Sequence, residues 1–281
     1  MSVFKSIGFI LQKIRITMKI NNLQIGFAGT EEEVPFVELE HGLRFYGLEV
    51  QGRDRKYYNL LKRSTRQKLP FECYKTAIDI VIRYVEGGLK LGGPEKERYY
   101  KVKEGDFIAE MGAYMGYYTM YLAEKTGKAG TVIAIEPIPE NLKYLKKNIS
   151  YNQFDNVVIV ERGVWNSNEK MTLYRTGKDT QSASLVLDEG EKNEYQVEMN
   201  TLDKILKDHH VNNIVLMLIQ LNGVEAEALE GLTIIKPDHI AIAARYDKEG
   251  MKAVPRIKKL LEDRSYKVDV VQKNYVYASQ I

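Results

Sequence analysis

The chain has 281 residues, a formal net charge of +3, one cysteine and four histidines. Its length suits one α/β domain with a smaller flanking region, at ~100–200 residues per domain, and its 44% hydrophobic and 28% charged residues are those of a globular protein. A lone Cys73 excludes an internal disulfide framework and fits a reducing, cytoplasmic setting. The weak net charge neither argues for nucleic acid nor excludes it. The adjacent His209 and His210 would not share a helical face, so no metal site is expected.

Residues 1–20 carry Lys5, Lys13, Arg15 and Lys19 without an acid, and Phe4, Ile7, Ile10, Leu11, Ile14 and Met18 recur at helical spacing. The charges interrupt any run that would span a bilayer, and there is no small-residue cleavage signal. The segment is expected to be a helix packed on the domain or on a second subunit in a homodimer, with peripheral membrane contact as the alternative. Phe36–Glu40 and Leu43–Val50, joined at His41-Gly42, read as a hairpin. Tyr57–Val85 reads as one or two helices broken at Lys68-Leu69-Pro70, and Gly92-Gly93-Pro94 as a loop. The basic residues from Arg53 to Lys68 read as a solvated face. Residues 1–100 are expected to form a helical and hairpin region that contacts substrate or a partner subunit. Residues 101–281 are expected to form the main domain.

From Lys101 strands and helices alternate. Strands are expected at Phe107–Met111, Thr131–Glu136, Val157–Val160, Ile214–Leu221 and Asp238–Arg245. Helices are expected at Tyr117–Lys125, Pro139–Ser150, Glu225–Leu232 and Val254–Ser265, with another beginning at Thr201. Lys170–Tyr174 and Tyr195–Met199 read as short strands around a polar loop containing Ser182 and Ser184. Lys267–Val271 and Tyr275–Ala278 close the chain as an antiparallel hairpin. This order argues for a Rossmann-like α/β fold, with a mostly parallel seven-stranded sheet and helices on both faces.

Ligands of such sheets bind at the carboxyl ends of the strands, near the point where strand order reverses. Glu110, Glu136, Gly163–Asn166 and Gln220–Gly223 all map to that edge. The first strand leads through Glu110, Gly112, Ala113 and Gly116 into a helix. Glycine lets a backbone approach a ligand closely, and a helix N-terminus offers free N–H groups. Glu136 suits the two hydroxyls of a ribose. A dinucleotide site would favour G-x-G-x-x-G, whereas a carboxylate just before the first glycine repels a pyrophosphate. That carboxylate suits the ammonium and sulfonium of S-adenosyl-L-methionine.

The run Glu110-Met-Gly-Ala-Tyr-Met-Gly-Tyr-Tyr-Thr119 is followed by Ile135-Glu-Pro-Ile-Pro-Glu-Asn141 and by Asn148 with Asn152. Asn200-Thr-Leu-Asp203 and Ile219-Gln-Leu-Asn-Gly-Val-Glu225 continue the series. In this order and spacing the chain resembles the FkbM-type methyltransferases, from about Val102 to Ala278. The resemblance implies a class I fold, S-adenosylmethionine as cofactor, and O-methylation of a small-molecule or glycan hydroxyl. It implies cofactor contacts from Glu110, Gly112, Ala113, Tyr114, Gly116 and Thr119 at the amino-acid end, and from Glu136 and Pro137 at the ribose. Ile138, Gly163, Val164 and Trp165 would lie about the adenine. Gln220 and Asn222 would face the methyl group, Glu225 is the candidate base, and the hydroxyl of Tyr114 or Tyr117 would orient the acceptor. Where the family reads I-D-V-E-G-A-E, this chain has Gln220 and Asn222, amides that neither accept a proton nor bind a divalent cation well. Two alternatives stay open. Ile135–Val160 also resembles transfer-RNA guanine methyltransferases, but the Asn-Pro-Pro-type motif of those enzymes is absent from Gln220–Gly223. The lost carboxylates also leave room for a non-catalytic cofactor-binding protein.

Overall fold

The computed structural model describes residues 14–49, 55–86, 96–176, 192–244 and 253–281. The expectations for residues 1–13, Arg53, Gly92-Gly93-Pro94, Ser182, Ser184 and Arg245 lie outside these segments. The N-terminal region begins with helix α1 (residues 14–21), followed by strands β1 (Ile25–Glu31), β2 (Val34–Leu39) and β3 (Arg44–Tyr46). These strands form an antiparallel sheet in the order β1-β2-β3, so the expected hairpin gains a strand. β1 was illegible because IGFAGTE holds two glycines and is largely exposed. Helices α2 (Arg55–Ser64) and α3 (Tyr74–Asp79) follow, and α3 widens into π-type turns over Ile80–Val85.

The remaining elements, in chain order, are β4 (Phe107–Met111), α4 (Tyr117–Thr126), β5 (Thr131–Ile135), α5 (Pro139–Tyr151), β6 (Val157–Val160), β7 (Gly163–Val164), β8 (Glu169–Thr176), β9 (Lys192–Asn200), α6 (Leu202–Asp208), β10 (Leu216–Ile219), α7 (Glu225–Glu230), β11 (His239–Ala243), α8 (Ala253–Glu262), β12 (Tyr266–Val271) and β13 (Tyr275–Gln280). The large sheet has the order β12-β13-β11-β10-β4-β5-β6. Its strands are parallel except β13, which runs antiparallel to both β11 and β12. Strand order reverses between β4 and β10. The strands expected at Lys170–Tyr174 and Tyr195–Met199 are longer than expected. They pair as β8 and β9 in a second, smaller sheet completed by β7.

The period-two alternation of side chains decides what each face of the large sheet meets. Ala109, Met111, Ile133, Ile135, Met217 and Ile219 share a core with Leu202 and Ile205 of α6, Leu229 of α7 and Ile257 of α8. Ile108, Val132, Leu216 and Leu218 point the other way and pack with Tyr118 and Leu122 of α4. The N-terminal region joins this second side. Ile16, Ile20, Phe45, Ile80 and Val81 share a core with Ala113, Tyr114, Met115 and Tyr117 of the β4–α4 turn and with Leu142 and Leu145 of α5. In α1 it is Ile16 and Ile20 that are buried, whereas Ile14 and Met18 are exposed.

β3 is an edge strand, and its outer backbone groups are satisfied by Asn148 of α5 and by Asn152, which caps the C-terminus of that helix. The Tyr46 N–H donates to Asn148 Oδ1 (2.7 Å), and Asn148 Nδ2 donates to the carbonyls of Tyr46 (3.1 Å) and Met115 (2.8 Å). Asn152 repeats the pairing with the N–H (2.9 Å) and carbonyl (2.7 Å) of Arg44. The Tyr117 hydroxyl also donates to the Tyr46 carbonyl (2.9 Å). Thus Tyr117 is fully buried and ties the N-terminal sheet to the β4–α4 turn. Replacing Asn148 by alanine strips partners from buried groups that cost ~1–3 kcal/mol each when unsatisfied. The expected loss in equilibrium denaturant unfolding of Asn148→Ala is about 3 kcal/mol; a loss below about 1 kcal/mol would show that water replaces the amide.

Candidate functional site

The β4–α4 turn needs glycine at two positions. Gly112 has φ +82°, and a Cβ there would meet the Gln220 carbonyl oxygen at 2.3 Å, because β4 and β10 converge at the point of reversal. Gly116 also has φ +82°, and its Cβ would meet Leu145 Cδ1 at 2.4 Å. Between them Tyr114 holds φ +56°, a left-handed conformation unusual for a bulky residue. The N–H groups of Gly112 (3.0 Å) and Ala113 (3.1 Å) both donate to the Ile135 carbonyl, so they serve the fold.

Three carboxylates are buried at the strand ends. Glu136, 4% exposed, accepts from the Tyr114 N–H (2.9 Å) through Oε2. Its Oε1 accepts from the Ile138 N–H and from Asn141 Nδ2, both at 3.0 Å. A carboxylate offers about four lone-pair directions, so Oε2 keeps capacity for a ligand hydroxyl. Burial pushes the Glu136 carboxyl up to about 7, against the three hydrogen bonds, which favour the charge.

Glu110, 2% exposed, accepts from Thr119 Oγ1 (2.7 Å) and pairs with Lys96 Nζ (3.1 Å). Lys96 also lies 3.9 Å from the centre of the Tyr118 ring. Lys96 was not legible as a site residue: no spacing rule links a lysine in a turn to a strand fourteen residues on. Glu225 accepts from the N–H groups of Leu221 (3.0 Å) and Gly223 (3.1 Å) and is raised in pKa by burial. It therefore braces the turn after β10, where Asn222 (φ +55°) and Gly223 (φ +107°) are both left-handed.

The remaining site residues fall on two sides of this centre. Ile138 and Trp165 share a small apolar cluster with Leu173, Val197 and Met199 beneath the β7-β9-β8 sheet. Gly163 is pressed against Met199, and Val164 faces the main core. Gln220, Leu221 and Asn222 are partly exposed. Pro137 links Glu136 to Ile138 in the same loop. Among the described residues, no group of three or more histidine, cysteine or acidic side chains is close enough to hold a metal.

A family model described as the methyltransferase FkbM domain matches residues 110–268, more than half of the chain. The chain belongs to the FkbM methyltransferase family. The fold is the class I S-adenosylmethionine-dependent one, and the cofactor of this FkbM chain is S-adenosylmethionine. Curated relatives include protein-L-isoaspartate O-methyltransferase 1 of Archaeoglobus fulgidus, 31% identical over 115 residues (37% of this chain, 51% of that protein). The protein-L-isoaspartate O-methyltransferase of Methanococcus aeolicus is 33% identical over 121 residues (41% of this chain, 56% of that protein). The chain thus spans about half the length of the curated relatives it matches. Among solved structures, methyltransferase FkbM from Methylobacillus flagellatus KT aligns with TM-score 0.46 and 15% identity, over 80% of this chain and 59% of that one. Aeropyrum pernix fibrillarin in complex with S-adenosyl-L-methionine aligns with TM-score 0.43 and 14% identity, over 91% of this chain and 99% of that one.

The residues of the FkbM site fit the cofactor's chemistry. Glu110 already holds a primary ammonium, that of Lys96, which is the chemical equivalent of the cofactor's amino group. Glu136 retains acceptor capacity one strand away, and the partly buried Trp165, packed with Ile138, is apolar.

The Glu136 shift has a stability consequence. Its folded value lies above the ordinary 4.5, so the proton-bound form is favoured in the fold. The associated stability is fully present below 4.5 and is lost as pH rises through about 7. Between about pH 5 and about pH 8 the ligand-free protein is expected to lose stability on the order of 3 kcal/mol relative to Glu136→Gln, at ~1.36 kcal/mol per unit. Parallel unfolding curves for the two proteins check this.

Proposed function

We propose that this chain transfers the methyl group of S-adenosylmethionine to an oxygen of a small-molecule or glycan acceptor. The observation that carries the reading is the pair of buried carboxylates at adjacent strand ends: Glu110 holds an ammonium and Glu136 keeps a free acceptor position. The curated relatives from Archaeoglobus fulgidus and Methanococcus aeolicus are named O-methyltransferases, which supports an oxygen acceptor.

When bound, S-adenosylmethionine supplies an electrophilic methyl group. In the proposed arrangement Glu110 exchanges the ammonium of Lys96 for that of the cofactor, with Thr119 orienting the carboxylate. Glu136 accepts from the ribose, and Ile138 and Trp165 cover the adenine. Gly112 lets β4 and β10 close together, so that Gln220 and Asn222 border the methyl group. Placing two reactants in one cleft can remove ~7–11 kcal/mol of barrier through orientation alone. Glu225 acts as a positioning residue, because its two oxygens already hold the turn that carries Asn222.

Calorimetric titration with S-adenosylmethionine and S-adenosylhomocysteine is expected to show saturable binding to the wild type and at least tenfold weaker binding to Glu136→Ala. A ribose hydroxyl donates to the ionised carboxylate. Binding therefore releases a proton from Glu136, and affinity is expected to rise with pH through about 7. No binding by the folded wild type would overturn the reading.

Removing a general base typically lowers turnover by ~10²–10⁴-fold. Glu225→Gln is expected to cost less than about tenfold in kcat with cofactor binding weakened, as suits a loosened turn. A loss of about a thousandfold in kcat with unchanged cofactor binding would return Glu225 to the role of base.

A further inference from the structure

Lys75, Asp79 and Arg83 form a stripe on one side of α3 and its widened continuation, at the i, i+4, i+8 spacing that brings side chains together. Lys75 Nζ lies 2.9 Å from Asp79 Oδ2, and Arg83 Nε lies 3.9 Å from Asp79 Oδ1. Asp79 is buried, and the lysine and arginine side chains are 17% and 22% exposed. Two positive charges against one negative leave an excess of one. Burial opposes the charge of Lys75, but Asp79 outweighs it and the lysine stays protonated.

The Arg83 guanidinium sits 4.6 Å from the centre of the Tyr114 ring. Tyr114 is the left-handed residue of the β4–α4 turn, and its N–H is the one bound by Glu136. The cationic stripe therefore borders the proposed cofactor cradle. Arg83 differs from the other half-buried arginines among the described residues. Arg44, Arg162, Arg256 and Arg264 each donate to a protein oxygen within 3.2 Å. Among the described residues Arg83 makes no such bond, and its Nε is buried without a hydrogen-bond partner. A buried, unsatisfied guanidinium nitrogen calls for an acceptor, and the acceptors that match a guanidinium fork are carboxylate and phosphate.

A second observation points the same way. Glu110, Glu136 and Glu225, the described carboxylates at the strand ends, are each held by two or more donors of the protein itself. A hydroxyl acceptor must give up a proton to some base, whereas a carboxylate is already ionised at neutral pH.

Resting on the methyltransferase reading above, we infer that the acceptor is a carboxylic acid, bound as its carboxylate by Arg83 beside Tyr114 with Lys75 adding charge, and that the product is a methyl ester. One carboxylate oxygen attacks the methyl carbon. The new O–C bond forms as the S–C bond breaks, the electron pair stays on sulfur, and no proton moves. Arg83 holds the other oxygen and so orients the attack.

The test uses the full chain with S-adenosylhomocysteine, first titrated alone to establish that the cofactor site is intact. Acetate, malonate, succinate and benzoate are then titrated calorimetrically, with malonamide and inorganic phosphate as controls. At least one carboxylate is expected to bind, with malonamide and phosphate at least tenfold weaker. Arg83→Met is expected to lose at least tenfold in affinity and Arg83→Lys to recover part of it, both with unchanged S-adenosylhomocysteine binding. Should Arg83→Met fail to fold, Lys75→Met is expected to weaken the same carboxylate severalfold. With radiolabelled S-adenosylmethionine, the label transferred to the bound acid is expected to be released as methanol by mild alkali, as from an ester and not from an ether. Intact S-adenosylhomocysteine binding with no bound carboxylate, equal binding of malonamide or phosphate, indifference to Arg83→Met, or an alkali-stable label would each overturn the inference and leave the methyltransferase reading standing.

Discussion

A buried carboxylate must be compensated where it stands, and the compensation of Glu136 shapes the centre of this molecule. Its three donors come from three places: the backbone of Tyr114 in the β4–α4 turn, the backbone of Ile138 in the loop after β5, and the amide of Asn141 on α5. One side chain thereby sets the left-handed turn, the entry into α5 and the spacing between β4 and β5. Glu110 and Glu225 repeat the device at the neighbouring strand ends with different donors, a lysine and a threonine in one case and two backbone N–H groups in the other. Burying such charges costs several kcal/mol each unless hydrogen bonds offset the lost hydration. The loops at this edge of the sheet are consequently held to one shape.

Much of this was legible in the sequence. The bounds of β4 and β6 match the apolar runs residue for residue, because each is a short apolar run flanked by turn residues. Glycines at 112 and 116 marked the turn, and Glu110 and Glu136 marked its edge. The longer expected strands about β10 and β11 shrink at both ends, where apolar residues continue into loops. What stayed hidden depends on tertiary contact. β1 has no clear apolar pattern because it lies at an exposed edge. Lys96, Lys75 and Arg83 are ordinary surface residues in sequence, and only packing brings their charges to the cradle. Glu225 reads as a candidate base in sequence, and only the fold shows that its oxygens accept from the N–H groups of Leu221 and Gly223.

The division of labour along the chain follows the same line. The family match covers residues 110–268. Within it lie strands β5, β6, β10 and β11 of the large sheet, the glycine turn, and Glu110, Glu136 and Glu225. Lys75, Arg83 and Lys96 precede it, in the region that packs against α4 and α5 through Ile80, Val81 and Phe45. The charges around the mouth of the cradle thus come in part from the segment that precedes the family match. The fold alone does not state the acceptor, and the argument for one has to come from individual side chains.

Asn148 of α5 and Asn152 at its C-terminus act as a substitute strand for β3, and this bears on how the polypeptide is made. Tyr46 and Asn148 are separated by 102 residues, and Arg44 and Asn152 by 108. During synthesis β3 leaves the ribosome long before α5 exists, so its outer backbone groups remain exposed to other chains through that interval. Non-local pairings of this kind slow folding and leave unpaired edges open to aggregation. The N-terminal sheet is translated before α5, and its outer edge closes only once α5 is in place.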